Sequence, residues 1–189
     1  MTIEDIYSKI LQHQIKGLMI HEQLANYYDF LGLEGYKRCH EYHYFEENMT
    51  FRSISKYFIN HHNKLIPELP VENPKVIPDS WYRYTRDDVD MTTKKNAIKS
   101  GLQLWRKWET ETKELYEQMY KELMNIDEVA SAMKIKELIC DVDKELKKVE
   151  RYCLNKKAID YDLTVIIPEQ KKWHDKYKCK MDSMGMRIC

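Results

Sequence analysis

Glycine and proline are scarce in this chain, five of each in 189 residues. A sandwich or barrel with many tight turns needs more of both, so an all-β architecture is excluded. Net charge is missing too, because 31 acidic residues balance 31 basic ones. No overall field therefore draws the protein to nucleic acid or to anionic lipid. No apolar run approaches the roughly 20 residues that span a bilayer. The opening segment MTIEDIYSKI is acidic and amphipathic, unlike a secretory leader. The five cysteines (Cys39, Cys140, Cys153, Cys179 and Cys189) are odd in number, scattered, and form no CxxC. Free thiols in a cytoplasmic protein are the expectation. A GxSxG elbow, a glycine-rich phosphate loop and a catalytic Cys–His context are all absent.

What the chain does have is helical period over most of its length. Ile3, Ile6, Ile10, His13, Gly17, Ile20, Leu24, Tyr27 and Leu31 recur in strict 3-4 spacing, the seam of a bundle helix. Thr2 with Asp5 three residues on is a capping signal, and Gly32 and Gly35 end the helix. The short connection makes the next helix, about Tyr36 to Lys64, an antiparallel neighbour. Then come 25 residues, Ile66 to Asp90, with four of the five prolines (Pro67, Pro70, Pro74, Pro78). A structureless stretch of that length needs a reason, and a crossover along the bundle (65–92) supplies one.

A third helix follows Thr92-Thr93, with Ile98, Gly101, Trp105, Trp108, Thr112, Leu115, Met119 and Leu123 on one side. Asn125 to Glu128 caps a fourth, whose seam is Ala132, Ile135, Ile139, Val142, Leu146, Val149 and Cys153. The apolar, β-branched stretch DYDLTVIIP is expected to be a docking segment, with a short helix from Glu169 to about Ser183. The expected organisation is a bundle over 1–155 and a C-terminal extension over 156–189.

The second helix breaks its apolar face with His40, His43 and Glu47, at i, i+3 and i+7. Polar groups there are costly unless something satisfies them. Counted from the turn, His21 on the first helix stands level with Glu47. Asp141 and Glu145 lie one turn apart on the fourth helix, and Glu109 or Glu111 approaches from the third. Two answers stay open. His21, His40, His43 and Glu47, with Asp141 and Glu145, hold a transition metal (Fe, Mn or Zn suits nitrogen plus carboxylate donors). Otherwise the imidazoles bond to tyrosines and carboxylates without metal, and the protein is a cofactor-free interaction module. Either way its aromatic-rich faces suit a homo-oligomer.

Elsewhere the bland reading is preferred. His61-His62 suits the helix C-terminus, and the run Lys144 to Glu150 reads as a solvated face. Trp81-Tyr82-Arg83-Tyr84 alternates as some single-strand binders do, but Asp87, Asp88 and Asp90 follow it and would repel phosphate.

Two long antiparallel helices, a long crossover and a second antiparallel pair resemble the ferritin-like arrangement. The stretch Glu22-Gln-Leu-Ala25-Asn-Tyr-Tyr28 is similar to the first-helix segment of ferritin-like proteins, and by that likeness Glu22 is a ligand. Leu138 to Leu146 resembles their acidic fourth-helix segment. The all-α ferritin-like four-helix bundle with a short C-terminal helix is therefore the expected fold. The Glu-x-x-His pair of ferritin-like diiron sites is missing, since no Glu has a His three residues later. Ferroxidase activity accordingly ranks below storage, O₂ handling or structural clamping. Locally, His43-Tyr-Phe-Glu46-Glu47 resembles the HFxxEE segment of hemerythrins, which implies metal-ligand roles for His43 and Glu47.

Overall fold

A computed structural model of the chain describes residues 1–70, 74–77 and 84–186. Among the described residues five α-helices follow in order: α1 (Ile3–Phe30), α2 (Glu34–His62), α3 (Met91–Asn125), α4 (Val129–Ala158) and α5 (Leu163–Ser183), with a 3-10 turn at Arg86–Asp88. The described residues contain no strand. Thr2 and Asp5 form a reciprocal capping box at the start of α1. Its end is a Schellman turn, with the Leu33 N–H on the Tyr28 carbonyl at 2.8 Å and Gly32 at φ 67°. The same motif closes α3 and α4 without glycine, on Asp127 and Asp160 in the left-handed region. These tight turns make α1–α2 and α3–α4 antiparallel hairpins.

The crossover returns the chain so that α3 runs antiparallel to α1, which Tyr28 Oη on the Ala97 carbonyl and Gln14 on Tyr116 Oη mark at two levels. Where it is described, the crossover is pinned to α1 by Gln23, whose amide bonds the Pro74 carbonyl (2.7 Å) and the Val76 N–H (3.2 Å). The stretch Trp81 to Arg83 lies outside the described residues.

The C-terminal segment differs from expectation. Leu163 to Pro168 is not a docking strap but the beginning of α5, capped by Asp162. Leu163, Ile166, Tyr177 and Met181 are buried at helical spacing. Pro168 is tolerated because it falls early in the helix and on its exposed face. The helix is 21 residues long, and it packs along α2 while lying antiparallel to α4, with Trp173 on Tyr36 and Tyr152.

The apolar core comes in two clusters. One, around Ile6, Tyr7, Ile10, Phe58, Met119 and Ile135, fills the end near the N-terminus. The other, around Leu24, Tyr28, Tyr36, Trp105, Val149 and Tyr177, fills the opposite end together with α5. Between them lies a layer of buried polar side chains that includes Gln14, His43, Glu109 and Thr112.

Candidate functional site

The polar layer is assembled from all four long helices. His21 comes from α1, His40, His43, Glu46 and Glu47 from α2, Glu109 from α3, and Glu145 and Lys148 from α4. His21, His40 and His43 are at most 3% exposed, as the inner face of α2 predicts for His40 and His43. Burial, reinforced by one another and by Lys148, holds all three imidazoles neutral, well below their usual pKa.

One ligand atom from each of His21, Glu47 and Glu109 lies within 4.8 Å of the other two. His21 Nδ1 is 2.9 Å from His40 Nδ1, and His21 Nε2 is buried with no partner. Trp108 Nε1 donates to Glu47 at 3.2 Å and Trp105 Nε1 to Glu109 at 2.9 Å. Each carboxylate thus receives one indole N–H. Burial pushes the Glu47 carboxyl up to about 7. Burial and then the charge of Glu47 push Glu109 up to about 8. These are two acids and an imidazole gathered inside the bundle, His21 and Glu109 buried and Glu47 partly so.

A cavity of about 450 Å³ opens beside them between α2 and α4, floored by Glu47 and Glu109 and walled by Leu138, Val142 and Met184. Asp141 stands at its rim with its side chain 69% exposed, paired to Lys144 at 2.7 Å. Glu145 is deeper, bonded to Lys148 at 2.6 Å. Lys148 corrects the reading of 144–150 as a solvated face, for its side chain is only 20% exposed. Its ammonium reaches His43 Nε2 at 3.3 Å, while His43 Nδ1 meets Glu46 at 3.0 Å.

Of the residues expected from sequence, the structure brings His21 and Glu47 together. It sets His40 behind His21, gives His43 and Glu145 to Lys148, and leaves Asp141 at the surface. Glu22, selected by the ferritin-like segment, is exposed and bonds Asn26, as the 3-4 seam requires. Between Glu109 and Glu111 the structure chooses Glu109, since Glu111 pairs with Lys16 and Lys107 on the outside. The indole donors and Lys148 went unread. Their spacing held a signal, because Glu109 is one helical turn beyond Trp105 on the α3 seam.

His61, His62 and Glu128 form a second gathering of donor atoms where α2 ends. It is partly exposed, and His62 Nε2 already meets Ser131 Oγ at 3.2 Å.

No protein-family model and no curated protein matches this chain. Solved structures do. An Archaeoglobus fulgidus ferritin engineered into a closed form is 13% identical, with 92% of this chain and 96% of that one covered at a TM-score of 0.76. The open-pore ferritin of the same archaeon is 14% identical over 90% and 93% of the two chains, with a TM-score of 0.75. A humanized archaeal ferritin is 10% identical over 90% and 94%, with a TM-score of 0.76. At such identities the likeness speaks for architecture alone, and the architecture is the ferritin-like four-helix bundle.

Proposed function

We propose that this chain is a ferritin-like metal-binding protein that holds one transition-metal ion on His21, Glu47 and Glu109. One observation carries the reading: His21, whose Nε2 is buried without a partner, brings a ring nitrogen within 4.8 Å of a carboxylate oxygen of each of Glu47 and Glu109, two carboxyls that burial has driven toward neutrality. Buried polar groups are normally satisfied, and the unpaired His21 Nε2 calls for a missing partner. One nitrogen and two carboxylate donors suit Fe, Mn or Zn.

The supporting residues fit this role. For His21 to offer the Nε2 lone pair it must carry its proton on Nδ1 and donate to His40, so His40 fixes the tautomer from behind. Trp108 and Trp105 each hold one carboxylate in place. Asp141 at the rim would attract cations to the cavity. A bound transition metal would supply Lewis acidity or redox chemistry, which storage and O₂ handling require and structural clamping does not. Ferroxidase activity ranks last, because the Glu-x-x-His pair is absent.

A homo-oligomer is part of the same reading, supported by the likeness of the bundle to an open-pore ferritin and to its closed form. No helix among the described residues is long and apolar enough to cross a membrane. With balanced charge and the acidic residues after Arg86, nucleic acid is not among the proposed partners, and a cytoplasmic setting is part of the proposal.

The test is metal analysis of protein purified without added metal, with a His21→Ala/Glu109→Ala double variant beside it. The expected result is about one equivalent of iron, manganese or zinc in the wild type and none in the variant. Metal-free wild type that gains no thermal stability from added Mn²⁺, Fe²⁺ or Zn²⁺ would leave the cofactor-free interaction module standing.

A further inference from the structure

The polar layer at the α2–α4 cavity holds two sets of donors that differ in one respect. No ion pair or hydrogen bond joins a lysine or arginine to His21, Glu47 or Glu109 among the described residues, and Lys148 acts on His21 and Glu109 through its charge alone. His43 and Glu145 already share a cation, the ammonium of Lys148, with Glu46 on the opposite nitrogen of His43. We infer that Lys148 is a resident cation occupying what would otherwise be a second metal position, and that it limits the cavity to one ion. The inference rests on the metal-binding reading above and extends it to stoichiometry.

The hydrogen bonds at His43 fix its chemistry. Nε2 can accept from the Lys148 ammonium only through its lone pair, so the ring proton is on Nδ1, where it donates to Glu46 at 3.0 Å. That is the tautomer of a metal-ligating histidine with a carboxylate behind it, yet its lone pair is spent on an ammonium 3.3 Å away. On its other side the same ammonium has the Glu145 carboxylate at 2.6 Å. Its flanks are aromatic, with the Trp105 ring centroid at 5.5 Å and that of Tyr177 at 5.8 Å. Cation–π contacts of this kind favour a positive charge that has left water.

Lys148 is therefore anchored on several sides, and the groups anchoring it come from α2, α3, α4 and α5. Lys144, which lines the cavity, is 74% exposed and turned to Asp141 at the rim. An ion bound between His43 and Glu145 would have to displace the Lys148 ammonium and then remain close to it. Like charges at that separation in a partly desolvated space repel strongly.

Co²⁺ titration in the visible range, with metal counted after equilibrium dialysis, reads the stoichiometry directly. Wild type is expected to bind one Co²⁺ per chain. Lys148→Met, which keeps the stem and removes the charge, is expected to bind two, and adding His43→Ala should return it to one. Lys148→Arg keeps the charge and should stay at one. If Lys148→Met does not fold by circular dichroism, Lys148→Gln takes its place with the same expectation. Two ions in the wild type, or one in the uncharged variants, overturns the inference while the single site stands. No ion in the wild type sinks the metal-binding reading and this inference with it.

Discussion

The α1–α3 seam and the α2–α4 seam run the length of the same bundle, yet they are packed to opposite ends. At two points between α1 and α3 the backbones come so close that side chains must vanish, although a cavity of about 910 Å³ lined by His13, Ile20, Leu104 and Trp108 opens along the same pair. A Cβ on Gly17 would lie 2.4 Å from the Trp108 ring, and one on Gly101 would lie 1.8 Å from Tyr28 Oη. Between α2 and α4 the centre is left open. Ile139, Val142 and Leu146 on α4 are only partly buried, α2 opposes them with His43, Glu46 and Glu47, and α5 covers one end of the gap. The comparison separates two jobs that bundles often mix. The closed seam makes the scaffold rigid, whereas the open seam provides room for groups that apolar packing would never tolerate.

Truncating the closed seam should show the largest effect. Trp108 is 1% exposed, stacks on His13 at 3.9 Å between centroids, and fills the space over Gly17. Trp108→Ala is expected to cost about 3–5 kcal/mol in urea unfolding, because a cavity between two rigid helices cannot collapse. Leu138→Ala, at the wall of the open cavity, should cost clearly less, since Leu138 is smaller and only partly buried. Equal losses would show that the two seams are equally tight and the contrast is false.

A pH scan addresses the open seam alone. Glu47 and Glu109 keep their protons in the folded protein up to about 7 and about 8, whereas the unfolded chain loses them near the ordinary 4.5. Over that range the native state binds more protons, so stability falls as pH rises. The buried histidines act the other way. They stay neutral when folded, while the unfolded chain takes up protons below the ordinary 6.5, so stability falls as pH drops beneath that value. The two trends offset each other below pH 6.5, and only the carboxyl contribution remains above it. Metal-free protein is expected to lose on the order of 2 kcal/mol between pH 6.5 and 8. Thermal melts across that range would check this. Glu47→Gln/Glu109→Gln should give a flat line, and so should saturating Mn²⁺, which holds both carboxylates ionised.

The same contrast explains how far the sequence could be read. The α1–α3 seam was legible residue by residue, because strict 3-4 spacing with Gly17 and Gly101 in it can only describe helices in close contact. The crossover was legible from its prolines. His21 and Glu47 could be set level by counting along a hairpin. The open seam was harder to read for a physical reason. There the choice between inside and outside is made by partners distant in sequence. Lys148 sits in a run of charges that looks solvated, and it turns inward because His43, Glu145 and two aromatic rings wait for it. Asp141, one turn from Glu145 on the same helix, finds Lys144 and water instead. α5 was misjudged at its start because a β-branched run before a proline favours strand by local propensity, and packing on α2 overrode that preference.

The smallest expected effect sharpens the comparison most, because it uses one helix and one substitution. Val149 and Val142 lie two turns apart on α4 and point the same way. Val149 is fully buried under α5, whereas Val142 lines the open cavity. Threonine matches valine in shape and can return its hydroxyl to the carbonyl one turn back at either position, so the local gain cancels between the two variants. What remains is the difference in surroundings. Val149→Thr is expected to cost about 1–2 kcal/mol, since its hydroxyl enters a dry apolar layer. Val142→Thr should stay within about 0.5 kcal/mol, because the hydroxyl faces solvent-accessible, carboxylate-lined space. Urea midpoints of the two variants measured side by side decide the matter. Matching values would mean that the middle of the α2–α4 seam is as dry as its plugged end, and the room assigned to a metal ion there would be gone.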